Sequence, residues 1–176
     1  MDDIAWSPNR AQDGTGFRIA SDRVLFVTRD NGQSWERAFA VVPDAASLPV
    51  TAVAVSPGFV QDGLVAAAIP GGTGCSHDRG DTWVFAPLPG HLPLVTCLAI
   101  VPDSDVPLLL AGTLEDGVAR SVNGGKSWSF WNGGLFDREV TDLEWNGDAE
   151  PIVAITPSGP YTSRNGGRSW RSEDHP

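Results

Sequence analysis

An eight-residue pattern occurs four times in this chain, and every copy ends in tryptophan. The copies are residues 28–35 (TRDNGQSW), 76–83 (SHDRGDTW), 121–128 (SVNGGKSW) and 163–170 (SRNGGRSW), and their tryptophans stand 48, 45 and 42 residues apart. Recurrence at that spacing marks a repeat architecture, in which each unit buries its apolar surface by stacking on its neighbours. Each octet carries a hydroxyl residue, Asp or Asn two positions later, Gly two after that, then Ser or Thr before the Trp. This is turn chemistry. Asp30 and Asp78 can accept backbone N–H bonds as Asx turns do. Asn123 and Asn165 keep the acceptor and drop the charge. Gly32, Gly80, Gly125 and Gly167 supply the positive φ that such a turn needs. Trp35, Trp83, Trp128 and Trp170 are then expected to pack over the turn against the sheet.

The flanks repeat as well. Residues 50–57 (VTAVAVSP) align with 95–102 (VTCLAIVP) and more loosely with 140–145 (VTDLEW), while Ser7-Pro8 places residues 4–8 in the first copy. Runs rich in β-branched residues that stop at Pro read as buried strands. A second apolar run follows at 17–20, 64–69, 108–112 and 152–156, a short third strand leads into the octet, and the Trp opens a fourth. The expected fold is all-β: four four-stranded antiparallel meanders, or blades, at about 1–40, 49–88, 94–135 and 139–173. Glycine (20) and proline (14) make about a fifth of the chain, which excludes a helical bundle. A hydrophobic fraction of 41% is enough for a core, and no apolar run approaches the ~20 residues of a membrane helix.

The octet resembles the Asp-box, or bacterial neuraminidase repeat (BNR), and the whole chain resembles Asp-box β-propellers. These include sialidases, xyloglucanase-type glycoside hydrolases, sortilin-type receptors and photosystem II assembly factors. The resemblance implies a β-propeller with four blades, and architecture rather than one chemistry. It also implies a structural role for the octets, since the box lies on the outer edge of a blade. A sialidase needs a Tyr nucleophile with a Glu base and three Arg on the substrate carboxylate. Here the single tyrosine, Tyr161, aligns with the strand positions Phe26 and Ala119, and the arginines are scattered. The xyloglucanase-type enzymes use carboxylates from two large propellers facing a cleft, and the photosystem assembly factors carry an Arg patch that this chain lacks.

Four blades at about 45° each, the angle of an eight-fold ring, cover about half a circle. Two chains can join head to tail, the four blades can close alone, or the chain can belong to a longer propeller. Whole blades at both ends point to a homodimer formed by blade-to-blade contact. One face of the inner strand is small in the second and third copies (Ala52 and Ala54, Cys97 and Ala99), holds Asp3 and Ala5 in the first, and holds Asp142 and Glu144 in the fourth. These two acids suit a subunit boundary with Arg10, Arg18 or Arg23. They are also the alternative catalytic pair, because alternate residues of a strand hold their carboxylates roughly 7 Å apart, within glycosidase range.

Ligands of a propeller gather where outer-to-inner loops (40–49, 86–93 and 132–139) and second-to-third turns (21–23, 114–117 and 156–159) converge. The candidates there are Asp22, Arg23, His91, Asp116, Asp137 and Arg138, beside Asp44, Glu115 and Glu139, with Trp131 and Phe136 for a carbohydrate or peptide. His77, His91 and His175 have no ligand spacing with cysteine, so neither metal nor cofactor is expected. Cys75 and Cys97 read as free thiols. A formal net charge of −10 argues against nucleic acid. The acidic N-terminus has no apolar signal segment, which gives a cytoplasmic expectation, or a secreted one if a leader has been trimmed. The expectation is a non-catalytic binding or scaffold module, with a glycoside hydrolase-like enzyme as the alternative.

Overall fold

The computed structural model describes residues 4–39, 48–102, 106–147 and 151–172. Strands β1 (Ile4–Trp6), β2 (Gly16–Ile19), β3 (Leu25–Thr28) and β4 (Glu36–Arg37) make blade 1. Blade 2 holds β5 (Ala52–Val55), β6 (Val65–Ile69), β7 (Gly72–Ser76) and β8 (Val84–Pro87). Blade 3 holds β9 (Val95–Val101), β10 (Leu108–Thr113), β11 (Val118–Ser121) and β12 (Ser129–Phe130). Blade 4 holds β13 (Asp142–Glu144), β14 (Ile152–Thr156), β15 (Gly159–Ser163) and β16 (Arg171–Ser172). Every sheet is an antiparallel meander in chain order. Register repeats between blades: Ile4 pairs with Arg18 as Val53 does with Ala67, Leu98 with Ala111 and Leu143 with Ala154.

Two details depart from the sequence reading. The fourth strand begins one residue after the octet Trp, because the indole still belongs to the turn. And the inner hairpins of blades 1 and 2 carry single helical turns, α1 (Arg10–Asp13) and α2 (Phe59–Asp62). Each is clamped by a serine–aspartate pair. Ser7 Oγ donates to Asp13 at 2.6 Å and Ser56 Oγ to Asp62 at 2.6 Å, while the same carboxylates accept the N–H of Thr15 and Leu64. Gly14 and Gly63 end the turns in the left-handed region, at φ 61° and 60°. Their carbonyls accept the N–H of Asn31 and Arg79, tying the inner hairpin to the octet of its own blade.

The core lies between blades rather than within them. One apolar cluster joins blades 1 and 2, a second joins blades 2 and 3, and a third joins blades 3 and 4. In the first, Phe17 meets Phe59 and Trp83 edge-on at 6.2 and 6.5 Å. Such aromatic pairs add about 0.5–1.5 kcal/mol each beyond area burial. No cluster joins blade 4 to blade 1 among the described residues. Burial agrees: β6, β7 and β10 are buried at every position, having a blade on each side, while β14 alternates between buried and half-exposed. Among the described residues the four blades form an arc whose cores join consecutive blades.

Candidate functional site

The octets are hydrogen-bonded knots. In blade 1, Thr28 Oγ1 donates to Asp30 at 2.8 Å and accepts Gly32 N–H at 2.9 Å, while Asp30 also accepts both the N–H and the hydroxyl of Ser34. Blade 2 repeats this with Ser76, Asp78, Gly80 and Thr82. In blades 3 and 4 the last bond reverses: Asn123 and Asn165 donate their amides to Ser127 and Ser169 at 2.7 and 2.8 Å. The four glycines have φ between 75° and 92°. Trp83, Trp128 and Trp170 are buried in the clusters between blades, whereas Trp35 is half-exposed on the outer face of blade 1. Hydrogen bonds from Ser34 hold the Asp30 carboxyl down at about 2. Burial pushes Asp78 upward, but the bonds from Thr82 and Ser76 outweigh it and keep that carboxyl low too. Both oxygens of each octet carboxylate bond within the turn itself, which describes a fastener more than a ligand site.

The loop candidates divide. Asp137 accepts Glu139 N–H at 3.1 Å and Ser158 N–H at 2.9 Å, pinning the loop into blade 4 to that blade's own turn, and the bonds from Ser158 lower its pKa. The Arg138 carbonyl accepts Gly117 N–H, and the Asp116 carbonyl accepts the Asn132 amide at 2.7 Å. Arg23 sits in the left-handed region at φ 62° and its carbonyl accepts Val50 N–H across the first joint, next to Asp22, which bonds Val24 N–H. His91 is exposed. Exposed apolar side chains stand on the same end: Leu92 at 74%, Leu94, Leu114 and Phe136 at 84%. Leu114 N–H bonds the Leu94 carbonyl, so the Leu94 and Arg138 loops flank one turn. Asp44, Asp3 and His175 lie outside the described residues.

The inner strands line an open cavity of about 730 Å³. Ile4, Thr51, Val53, Thr96, Leu98, Thr141 and Asp142 are on its wall. Glu144 is not, and Asp142 is the one carboxylate among the described lining residues. The threonines form a relay that the sequence reading missed, although they share one repeat position. Thr51 Oγ1 donates to the Val95 carbonyl of the next blade at 2.7 Å, and Thr96 Oγ1 does the same to Val140. Thr141 turns back to Ile155 in its own blade at 3.2 Å. A second set of links runs between octets: Arg29 pairs with Asp81, His77 Nε2 meets the Gly124 carbonyl at 2.9 Å, and Arg120 Nε donates to the Gly166 carbonyl at 2.7 Å. Cys75 and Cys97 are free and buried in the joints, where burial pushes both thiols up to about 11. Tyr161 is buried on β15. No cluster of His, Cys, Asp and Glu able to hold a metal occurs among the described residues, and none of their helices is long and apolar enough to cross a membrane.

No protein-family model and no curated protein matches the chain. Solved structures do. An ancestral GH74 enzyme superposes with a TM-score of 0.71 at 22% identity over 96% of this chain and 23% of its own. YCF48 bound to D1 peptide gives 0.66 at 20% identity over 96% of this chain and 51% of its own. The extracellular domain of a one-component system from B. thetaiotaomicron gives 0.64 at 13% identity, over 97% of this chain and 21% of its own. The fold is a β-propeller arc. At these identities the likeness fixes the fold alone, and the chain spans about half of the YCF48 chain and under a quarter of the other two.

Proposed function

We propose that this arc is a non-catalytic binding or scaffold module that completes an eight-bladed ring with a second copy and takes an extended peptide on its loop face. The observation that carries the ligand reading is the exposed apolar group Leu92, Leu94, Leu114 and Phe136, set among the exposed acids Glu115, Asp116 and Glu139. That combination suits a segment with apolar and basic side chains, and one structural neighbour, YCF48, is bound to D1 peptide. Against hydrolysis stands the placement of the acids. A glycosidase needs two carboxylates on one site, and Asp142 faces the cavity without Glu144.

The test is thermal stabilisation of the chain by arrayed peptides of basic and apolar composition, run beside oligosaccharides and aryl glycosides. Stabilisation by such peptides, lost in Leu92→Ser and Phe136→Ser variants that still fold, is expected. Turnover of an aryl glycoside that disappears in Asp142→Asn and Glu144→Gln would establish the enzyme instead. Stabilisation by an oligosaccharide and by no peptide would overturn the peptide reading.

A further inference from the structure

The second and third joints inside the arc follow one plan. In the middle joint, Ala52 and Ala54 of the leading blade share a core with Leu98, Ala111 and Trp128 of the following blade. In the third joint, Cys97 and Ala99 meet Leu143, Ala154 and Trp170 in the same way. Small side chains on both sides let two sheets approach closely.

The two free faces depart from that plan in complementary ways. On blade 4, Asp142 and Glu144 occupy the positions of Ala52 and Ala54, and both are exposed. On blade 1, Arg18 occupies the position of Ala111 and Ala154, paired with Ile4 as they are with Leu98 and Leu143. Its guanidinium lies 4.4 Å over the Trp35 ring, and Trp35 takes the place of Trp128 and Trp170. Where an internal joint sets alanine against alanine, the free faces carry carboxylates at one end and a cation framed by aromatic surface at the other.

Two hydrogen-bond devices tell the same story. The relay from Thr51 to Val95 and from Thr96 to Val140 has a third member, Thr141, which keeps the bond within its own blade that Thr96 also makes, but has no forward bond among the described residues. The second octet position reaches forward through Arg29 to Asp81 and through His77 to Gly124. Its equivalent in blade 4, Arg164, is exposed and has no partner among the described residues. In blade 3 the second octet position is Val122 and the forward bond comes instead from Arg120 to the Gly166 carbonyl, whereas on blade 4 neither Thr141 nor Arg164 reaches forward among the described residues.

We infer that the face of blade 4 docks on blade 1 of a second copy, with Asp142 and Glu144 against Arg18 and with Thr141 and Arg164 reaching into the partner. This rests on the two-copy reading above and specifies its joint. Two such joints related by a two-fold axis close a ring of eight blades, since a head-to-tail contact closes when its rotation divides the circle. Charge reversal on opposed faces then acts on assembly more than on the fold of either chain.

The experiment is light scattering and sedimentation of the 176-residue chain across the micromolar range. The expected species has twice the mass of the 18.6 kDa chain. Glu144→Arg and Arg18→Glu, each alone, should raise the dissociation constant about tenfold or more, and the double variant should restore it. Thr141→Val should weaken the dimer a few-fold while costing the monomer no more than its one bond to Ile155, and it keeps the test open if Arg18→Glu fails to fold. A monomer at every concentration overturns both the joint and the two-copy reading. A dimer indifferent to all these variants overturns the joint alone. Charge-sensitive polymers beyond the dimer overturn the closed ring.

Discussion

Gly125 offers the sharpest test of how the blades meet. It has φ +83°, and a Cβ built there would lie 2.3 Å from the Sγ of Cys75 on the preceding blade. Gly125→Ala therefore carries two separable costs. An L-residue in the left-handed region costs about 1–2 kcal/mol. Overpacking a closed joint adds about 1–3 kcal/mol. The sum, about 2–5 kcal/mol, corresponds to a fall in Tm of about 4–20 °C for a domain of this size. Cys75→Ala removes the obstructing sulfur at a cost of about 1–2 kcal/mol from the lost buried volume. In the double variant the backbone cost persists and the collision does not, so the two changes should couple favourably by about 1–3 kcal/mol. Chemical denaturation of the four proteins, at one concentration and with equal m-values, measures that coupling. Strict additivity would show that the octet glycine does not touch the neighbouring blade, and the account of the joints would fall with it.

Acid should act on the first two octets more than on the last two. The folded-state pKa of Asp30 is held at about 2, below the ordinary 3.8, so its contribution is complete above pH 3.8 and is lost as pH falls through about 2. Replacing Asp30 and Asp78 with Asn, the residue already present in blades 3 and 4, should flatten the loss of Tm between pH 4 and 2; an unchanged slope would refute it. Thiol reagents at pH 8 should leave Cys75 and Cys97 unlabelled until the chain unfolds, because burial holds both thiols near 11. Labelling of the native protein by mass spectrometry would contradict the buried placement. Thr51→Val should lower stability by about 0.5–1.5 kcal/mol by removing one link of the relay, and an effect confined to ligand binding would contradict a structural role for that hydroxyl.

The blades were legible because their cause is local. Asp, Gly and Trp at fixed offsets specify a turn without help from the rest of the chain, and alternation of small and β-branched residues shows which strand is inner. The helical turns α1 and α2 escaped because they depend on a bond across six residues, Ser7 to Asp13 and Ser56 to Asp62, inside a stretch that reads as a loop. The signal was present in the repeated Gln-Asp-Gly of residues 12–14 and 61–63. The threonine relay escaped for a related reason: Thr in a β-branched run looks like a strand former, and its acceptor lies 44 residues away. Of the loop residues, Asp137 looked like a free charge in sequence, but its carboxylate is occupied by the Ser158 turn. Hydrogen bonds between distant loops decide which polar residues remain available, and spacing cannot display them.

A protein whose cores all lie between neighbours melts as a row of coupled plates. Stability is then a sum over plates and contacts, and the terminal plates, each held from one side, fray first. Hydrogen exchange should be slowest in β6, β7 and β10 and fastest in blades 1 and 4. Joining the two ends to those of another copy leaves no terminal plate at all. Fraying would vanish, the transition would sharpen, and protection in β14 would rise with protein concentration.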